Sequence, residues 1–280
     1  MKTFKLFSLC LVTIFVAGLV FTSCKKKEET TTYSYRAAQD NSTAEGVFNR
    51  SYSQISKAAR HVGTKSTNDT ILGCPTLYIS GAWPDKIVTL DFGTSCQGDD
   101  GVFRRGKIVT HINGLYIDST TTLVSTFDNY FETINGVDYQ VQGTQTIVNL
   151  GHNASGHPHF SVDVQGASVT SIQGTISWTS QRENEWTAGY DTWINPFDDE
   201  YLVTGSANGT DVNGAAFTVT ITSPLLVKCC TTLWSWIIAS GTLDIVNAGY
   251  PTITVDYGDG SCDFIVYVII NGTTYTYVLA

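Results

Sequence analysis

From Thr70 to the C-terminus the chain alternates apolar and polar residues with a period of two, and few features constrain a fold more. Phe160, Val162 and Val164 alternate with Ser161 and Asp163, and Phe217, Val219 and Ile221 alternate with Thr218, Thr220 and Thr222. Tyr139, Val141 and Ile147 follow the same pattern. Successive side chains of a strand point to opposite faces, so this alternation predicts strands with one buried and one wet face, the habit of antiparallel sheets. Asn113-Gly114, Asn135-Gly136, Asn208-Gly209, Asn213-Gly214 and Asn271-Gly272 offer the positive φ that tight hairpins require. The predicted fold class is all-β: an antiparallel meander of hairpins, as an elongated sheet, a sandwich or an open barrel, with one short N-terminal helix.

Weak internal repeats run through residues 70–280. Gly106-Lys-Ile-Val-Thr, Gly174-Thr-Ile-Ser-Trp and Gly241-Thr-Leu-Asp-Ile are spaced by 68 and 67 residues. Tyr139-Gln-Val-Gln-Gly143 echoes Tyr201-Leu-Val-Thr-Gly205. Thr89-Leu-Asp91-Phe-Gly93 with Cys96 echoes Thr254-Val-Asp256-Tyr-Gly258 with Cys262. A duplicated module of three or four strands accounts for this spacing.

The N-terminus reads differently. Lys2 and Lys5 precede a 16-residue run without a charge, Leu6 to Phe21. A basic start, an apolar run and small residues are the parts of an export signal. The run is short for a permanent membrane span. It ends Leu19-Val-Phe-Thr-Ser-Cys24, which resembles a bacterial lipobox. Residues 1–23 are therefore expected to be a lipoprotein signal peptide, and Cys24 the lipidated residue. Residues 24–40, polar and aperiodic, read as a flexible tether. Within residues 41–63, Phe48, Tyr52, Ile55, Ala59 and Val62 mark one face of an amphipathic helix, capped by Ser42 or Thr43 and ended by Gly63.

The chain carries 16 Lys and Arg against 25 Asp and Glu, and residues 1–23 hold two of the lysines and no acid. The remaining net charge of −11 argues against nucleic acid or anionic lipid as the main partner, because both need a positive face. The expected partners are the membrane, through the lipid, and a glycan or another envelope protein. Oligomeric state is left open.

Several strings, among them DFGTSC, SQRENEW, GYDTWINPFDDEYLVTGSANG, FTVTITSPLLVK, IASGTLDI and DYGDGSCD, are similar to those of a group of Bacteroidota lipoproteins. The resemblance covers roughly residues 70–280. It implies an envelope lipoprotein with an all-β body and brings no activity with it. The run Cys24-Lys-Lys-Lys-Glu-Glu resembles the charged tails that send some lipoproteins of that phylum to the cell surface. The expected location is the outer membrane, lipid-anchored and facing outward.

Candidate sites are few. His152, His157 and His159 lie within eight residues, but Asn153, Gly156 and Pro158 among them make a polar hairpin loop the simpler account, so no metal is expected. Asp99 and Asp100, Asp198, Asp199 and Glu200, and Asp256, Asp259 and Asp263 are acidic turns without EF-hand order. No nucleophile elbow, zinc-protease helix or phosphate loop occurs, so no catalytic residue and no cofactor is assigned. Trp186, Tyr190 and Trp193, read as lying in a polar loop region, are the candidates for an exposed ligand-binding surface, and a glycan-binding or carbohydrate-active surface protein is the alternative function.

Without Cys10 and Cys24, five cysteines remain, and export favours disulfides. Cys74 and Cys96 flank two expected strands whose hairpin turns near residues 81–85, which brings the two together. Cys262 pairs with Cys229 or Cys230. Cys230 is nearer the returning strand, and the other then remains a buried thiol, because neighbours in extended chain face opposite ways.

Overall fold

The structure is a computed structural model that describes residues 25–62, 74–98, 100–230 and 235–278. Residues 1–23, expected to be a signal peptide, and Cys24, Gly63, Asp99 and Trp234 lie outside the described residues. The body is one sheet of 14 strands. They are β1 (Thr76–Ser80), β2 (Lys86–Asp91), β3 (Cys96–Gln97), β4 (Phe103–Ile112), β5 (Thr122–Ile134), β6 (Val137–His152) and β7 (Pro158–Ser171). The second half is β8 (Gly174–Ala188), β9 (Glu200–Thr210), β10 (Ala216–Cys230), β11 (Ser235–Asn247), β12 (Ile253–Asp259), β13 (Ile265–Ile270) and β14 (Thr273–Val278). Every strand pairs antiparallel with the next, except that the short β3 sits off the path on β4, which itself pairs with β2. The sheet is thus an uninterrupted meander, open between β1 and β14, and the all-β expectation holds.

The sheet curls around a single long helix, α1 (Lys25–Ala59). The helix touches β2 and β4 on one side, β8 in the middle and β11 and β12 on the other. Between Tyr35 and Val62 only Gln39, Ser42 and Asn49 are exposed. In β8 the buried set is Ile176, Trp178, Ser180, Arg182, Asn184 and Trp186, while Ser177, Gln181 and Glu183 between them are exposed. The core therefore lies between the concave face and the helix, and the convex face is polar. The curl needs bends inside long strands. Gly106 (φ +83°) and Gly241 (φ +103°) sit where the register slips by a residue. A Cβ there would come within 2.0 Å of the Asn129 carbonyl oxygen or 2.3 Å of that of Pro224. Two of the three repeated Gly-Thr/Lys-aliphatic strings are thus bulges that bend the sheet.

Three expectations about the N-terminal part need correction. The stretch read as a tether, residues 25–40, is the first half of α1, and from Tyr35 onward it is packed, with Ala37 and Asp40 buried. Ser42 and Thr43 are not caps but lie within the helix, where the Thr43 hydroxyl donates to the Gln39 carbonyl (2.9 Å). The helix also buries far more than one apolar stripe. Its additional buried positions include Ala37, Ala44, Val47 and Ala58, and also the polar Asp40, Asn41, Glu45, Ser51 and Gln54, which a search for apolar periodicity passes over.

Disulfides join Cys74 to Cys96 and Cys230 to Cys262, each with a Cα–Cα distance of 5.7 Å, and Cys229 is a free, half-buried thiol. Among the described residues no helix is long and apolar enough to cross a membrane.

Candidate functional site

The most structured constellation lies where α1 ends against the loop between β8 and β9. The turn after the helix carries Arg60, buried to 2 % exposure. Its guanidinium donates to Asp199 Oδ2 (2.6 Å), to the Tyr201 hydroxyl (3.0 Å) and to the Trp193 carbonyl (2.9 Å). It lies 4.7 Å from the Trp186 ring centroid and 5.4 Å from that of Tyr116. Trp186 stacks on Tyr201 (5.8 Å) and donates its indole N–H to Asp199 Oδ1 (3.1 Å). The Tyr52 hydroxyl on the helix meets that of Tyr116 (3.2 Å). Asp199 is therefore engaged by a guanidinium, a phenol and an indole, while aromatic rings border the cation.

Burial works against the Arg60 charge, but Tyr201, Tyr116 and Asp199 outweigh it and hold the guanidinium more firmly protonated than usual. Burial pushes the Asp199 carboxyl up in spite of the three donors around it. Burial likewise raises the phenols of Tyr52 and Tyr201 well above their ordinary value, so both stay neutral donors. The site is chemically a lock, with no proton poised for transfer and its carboxylate closed off from solvent at 1 % exposure.

Two further ionic contacts fasten the helix. Glu45 accepts from Arg182 on β8 (2.7 Å and 3.2 Å), and both side chains are buried. Arg50 donates to Glu132 on β5 (2.7 Å), which also accepts from the Tyr130 hydroxyl (2.9 Å).

The residues expected at an exposed ligand surface are split by the fold. Trp186 is not in a loop: it belongs to β8, faces inward and is only 2 % exposed. Its polar neighbours Glu183 and Glu185 point to the convex face, so the local polarity that suggested exposure belongs to the opposite side of the strand. Tyr190 and Trp193 do lie in the β8–β9 loop, half-buried, and Trp193 lines a shallow depression with Asp191, Thr192, Ile194 and Asn195. Arg60 and Asp199, the centre of the constellation, carry no signal in the sequence. Arg60 lies off the apolar stripe, and nothing local marks a partner 139 residues away.

The histidines flank the β6–β7 turn, His152 at the end of β6, His157 just before β7 and His159 within it. His157 Nδ1 pairs with Glu185 (2.7 Å) and His159 Nδ1 meets the Gly151 carbonyl (3.0 Å). Hydrogen bonds from Asn153 and His157 hold the Glu185 carboxyl below its ordinary value. The acidic turns serve backbone: Asp256, Asp259 and Asp263 accept from the N–H groups of Gly258, Ser261 and Ile265. Among the described residues no group of three or more His, Cys, Asp or Glu is placed to hold a metal ion. Comparison with known protein families, curated proteins and solved structures finds no match.

Proposed function

We propose that the protein is a lipid-anchored cell-envelope lipoprotein with a binding or structural role, held in the outer membrane through lipid on Cys24 and facing outward. The observation that carries this reading is the position of α1. As described, the helix runs from Lys25, the residue that follows the proposed anchor in sequence, to Ala59, beside the Arg60 lock at the β8–β9 loop. A central helix that follows the proposed anchor so closely in sequence leaves little chain between the anchor and the packed domain. Two disulfides suit an oxidising compartment. The concave face, where a curled sheet would otherwise offer a cleft, is filled by the helix, which favours a surface or scaffold role.

In the test, Cys24→Ser blocks diacylglyceryl transfer, leaves the chain unprocessed or releases it from membranes, and abolishes palmitate labelling. Labelling that persists in the variant overturns the reading. Protease digestion of intact cells reads the orientation, and complete protection would place the protein on the periplasmic side.

A surface glycan is the second reading, supported by the depression around Trp193. A glycan array of the mature chain tests it, with Trp193→Ala expected to lose retention.

A further inference from the structure

The two ends of the curled sheet differ in charge, and the helix enters at one of them. Trp178 bonds Asn41 (3.1 Å), Arg182 bonds Glu45 and Trp186 covers Arg60, so β8 runs beside α1 in the same direction. The start of β8 therefore lies at the leading end of the helix. Antiparallel order then places the turns at 135–136, 172–173, 212–214, 248–251 and 271–272 at that same end, with the β2–β4 loop. None of these five turns contains a charged residue. The flanking Asp211 is buried. The other described acids nearest this end are engaged, Asp138 by Arg105 (2.9 Å), Asp91 by Lys107 (3.1 Å) and Asp100 by Arg104, and Asp99 of the β2–β4 loop lies outside the described residues. At the opposite end the loops carry five exposed acids: Asp85, Asp118, Asp191, Asp198 and Asp263.

The neutral end also bears an apolar tip. Ile172, in the two-residue turn between β7 and β8, is 92 % exposed, more than any other large apolar side chain among the described residues. Its neighbour Gln173 accepts from Arg36 of the helix (2.8 Å), so this tip is fastened beside the helix's leading end.

We infer that the neutral end, led by the Ile172 tip, is a bilayer-contacting surface, and that the acidic loops of the other end face away from the membrane. This deepens the lipid-anchor reading and rests on it. The chain outside the structure supports the choice of occupant, since residues 1–24 precede Lys25, on the end of the helix that projects beyond this pole. Charge supports it too: an acidic protein approaches an anionic leaflet by its uncharged face, and three lysines, Lys25, Lys26 and Lys27, directly follow the proposed anchor in sequence. The helix from Lys25 to Arg36 rises about 17 Å, so contact requires it to lie inclined to the bilayer rather than stand upright.

Ile172→Trp in the purified lipoprotein tests this, after reconstitution into phosphatidylcholine vesicles with or without brominated acyl chains. The signal is the difference from wild-type emission. A side chain seated ~5–10 Å into the headgroup and acyl boundary should be quenched about twofold by the brominated lipid. Ile194→Trp, on the acidic end, should be unaffected. Equal emission from the Ile172→Trp chain in both vesicle types, with the protein floating alongside them, overturns the inference. The mass of the purified chain separates this from failure of the anchor reading. If no acyl mass is found, Cys24 of the Cys229→Ser chain is coupled to a maleimide phospholipid, and the same quenching decides for or against the contact.

Discussion

Arg60 and Arg104 are both almost completely buried, and both leave their Nε without a hydrogen-bond acceptor, yet they are held in opposite ways. Arg104 is surrounded by residues that strand register delivers. Asp100 lies four positions back, Glu132 faces it across β5, and Cys96 is its partner on β3. Glu132 has a second cation in Arg50, so losing one charge leaves the others compensated. Arg60 depends on the docked helix: its carboxylate is 139 residues away, and Asp199 has no other cation bonded to it among the described contacts. A site built from neighbouring strands tolerates loss of one member, whereas a site built by docking one element into another does not.

The largest expected effect follows from that difference. Arg60→Met keeps the bulk between Trp186 and Tyr116 but leaves Asp199 buried and without its cation. Removing one partner of a buried pair costs about 3–5 kcal/mol. Urea unfolding should show a loss in that range, and adding Asp199→Asn to the Arg60→Met chain should recover part of it. A loss below about 1 kcal/mol, the ordinary value for an exposed pair, would place the helix's hold elsewhere.

The second effect sharpens the comparison from the Arg104 side. Cys74 and Cys96 are separated by 22 residues, and the Cys74→Ala/Cys96→Ala variant should lose roughly 3 kcal/mol on the chain-entropy account. Because Cys96 lies opposite Arg104 in register, this change should couple to Arg104→Met in a double-mutant cycle. With Arg60→Met it should add to within about 0.5 kcal/mol, as independent sites do. Strong coupling to Arg60 and none to Arg104 would show that the two regions are not organised as described.

The same contrast explains what the sequence can reveal. The Arg104 region is half legible: the Asp91-Phe-Gly93 string and its echo Asp256-Tyr-Gly258 make the same local hydrogen bond, with each glycine N–H donating to the aspartate Oδ1 at 2.9 Å. Both aromatics are buried and a bridged cysteine follows each, so the repeat reports local backbone chemistry that short strings can encode. The strands and hairpins are legible for the same reason. The first half of α1 is not. Asp40 accepts from the Val212 N–H, Asn41 from Trp178 and Glu45 from Arg182, and these partners are 137 or more residues distant. Periodicity counts apolar side chains, so a helix face buried through hydrogen bonds looks solvated. Trp186 looks exposed because of the outward Glu183 and Glu185, and the buried Arg182 and Asn184 on its own inward face, polar to match the helix, do nothing to correct that impression.

The smallest effect concerns acid. Burial alone would push the Asp100 carboxyl up, but the bonds and charge of Arg104 outweigh it and hold it below its ordinary value. A carboxyl lowered in the folded state contributes stability that is present above the unfolded value, about 4, and is lost as pH falls through the folded one. Asp199 has the other sign: burial raises it, so the folded state holds that proton more tightly than the unfolded chain does. Acidification therefore weakens the Arg104 corner through Asp100, while protonating Asp199 offsets part of the cost of burying that carboxylate. Between pH 7 and 5 the stability gap between wild type and Asp100→Asn should stay constant, at about 0.5–1 kcal/mol for a pair with partial solvent access. Below pH 4 it should close. The gap between wild type and Asp199→Asn should not close in step with it, because the Asp199 contribution runs the other way. Urea midpoints at half-unit intervals from pH 7 to 3 decide the matter. A gap for Asp100→Asn that widens on acidification would mean that burial, and not Arg104, governs that carboxyl.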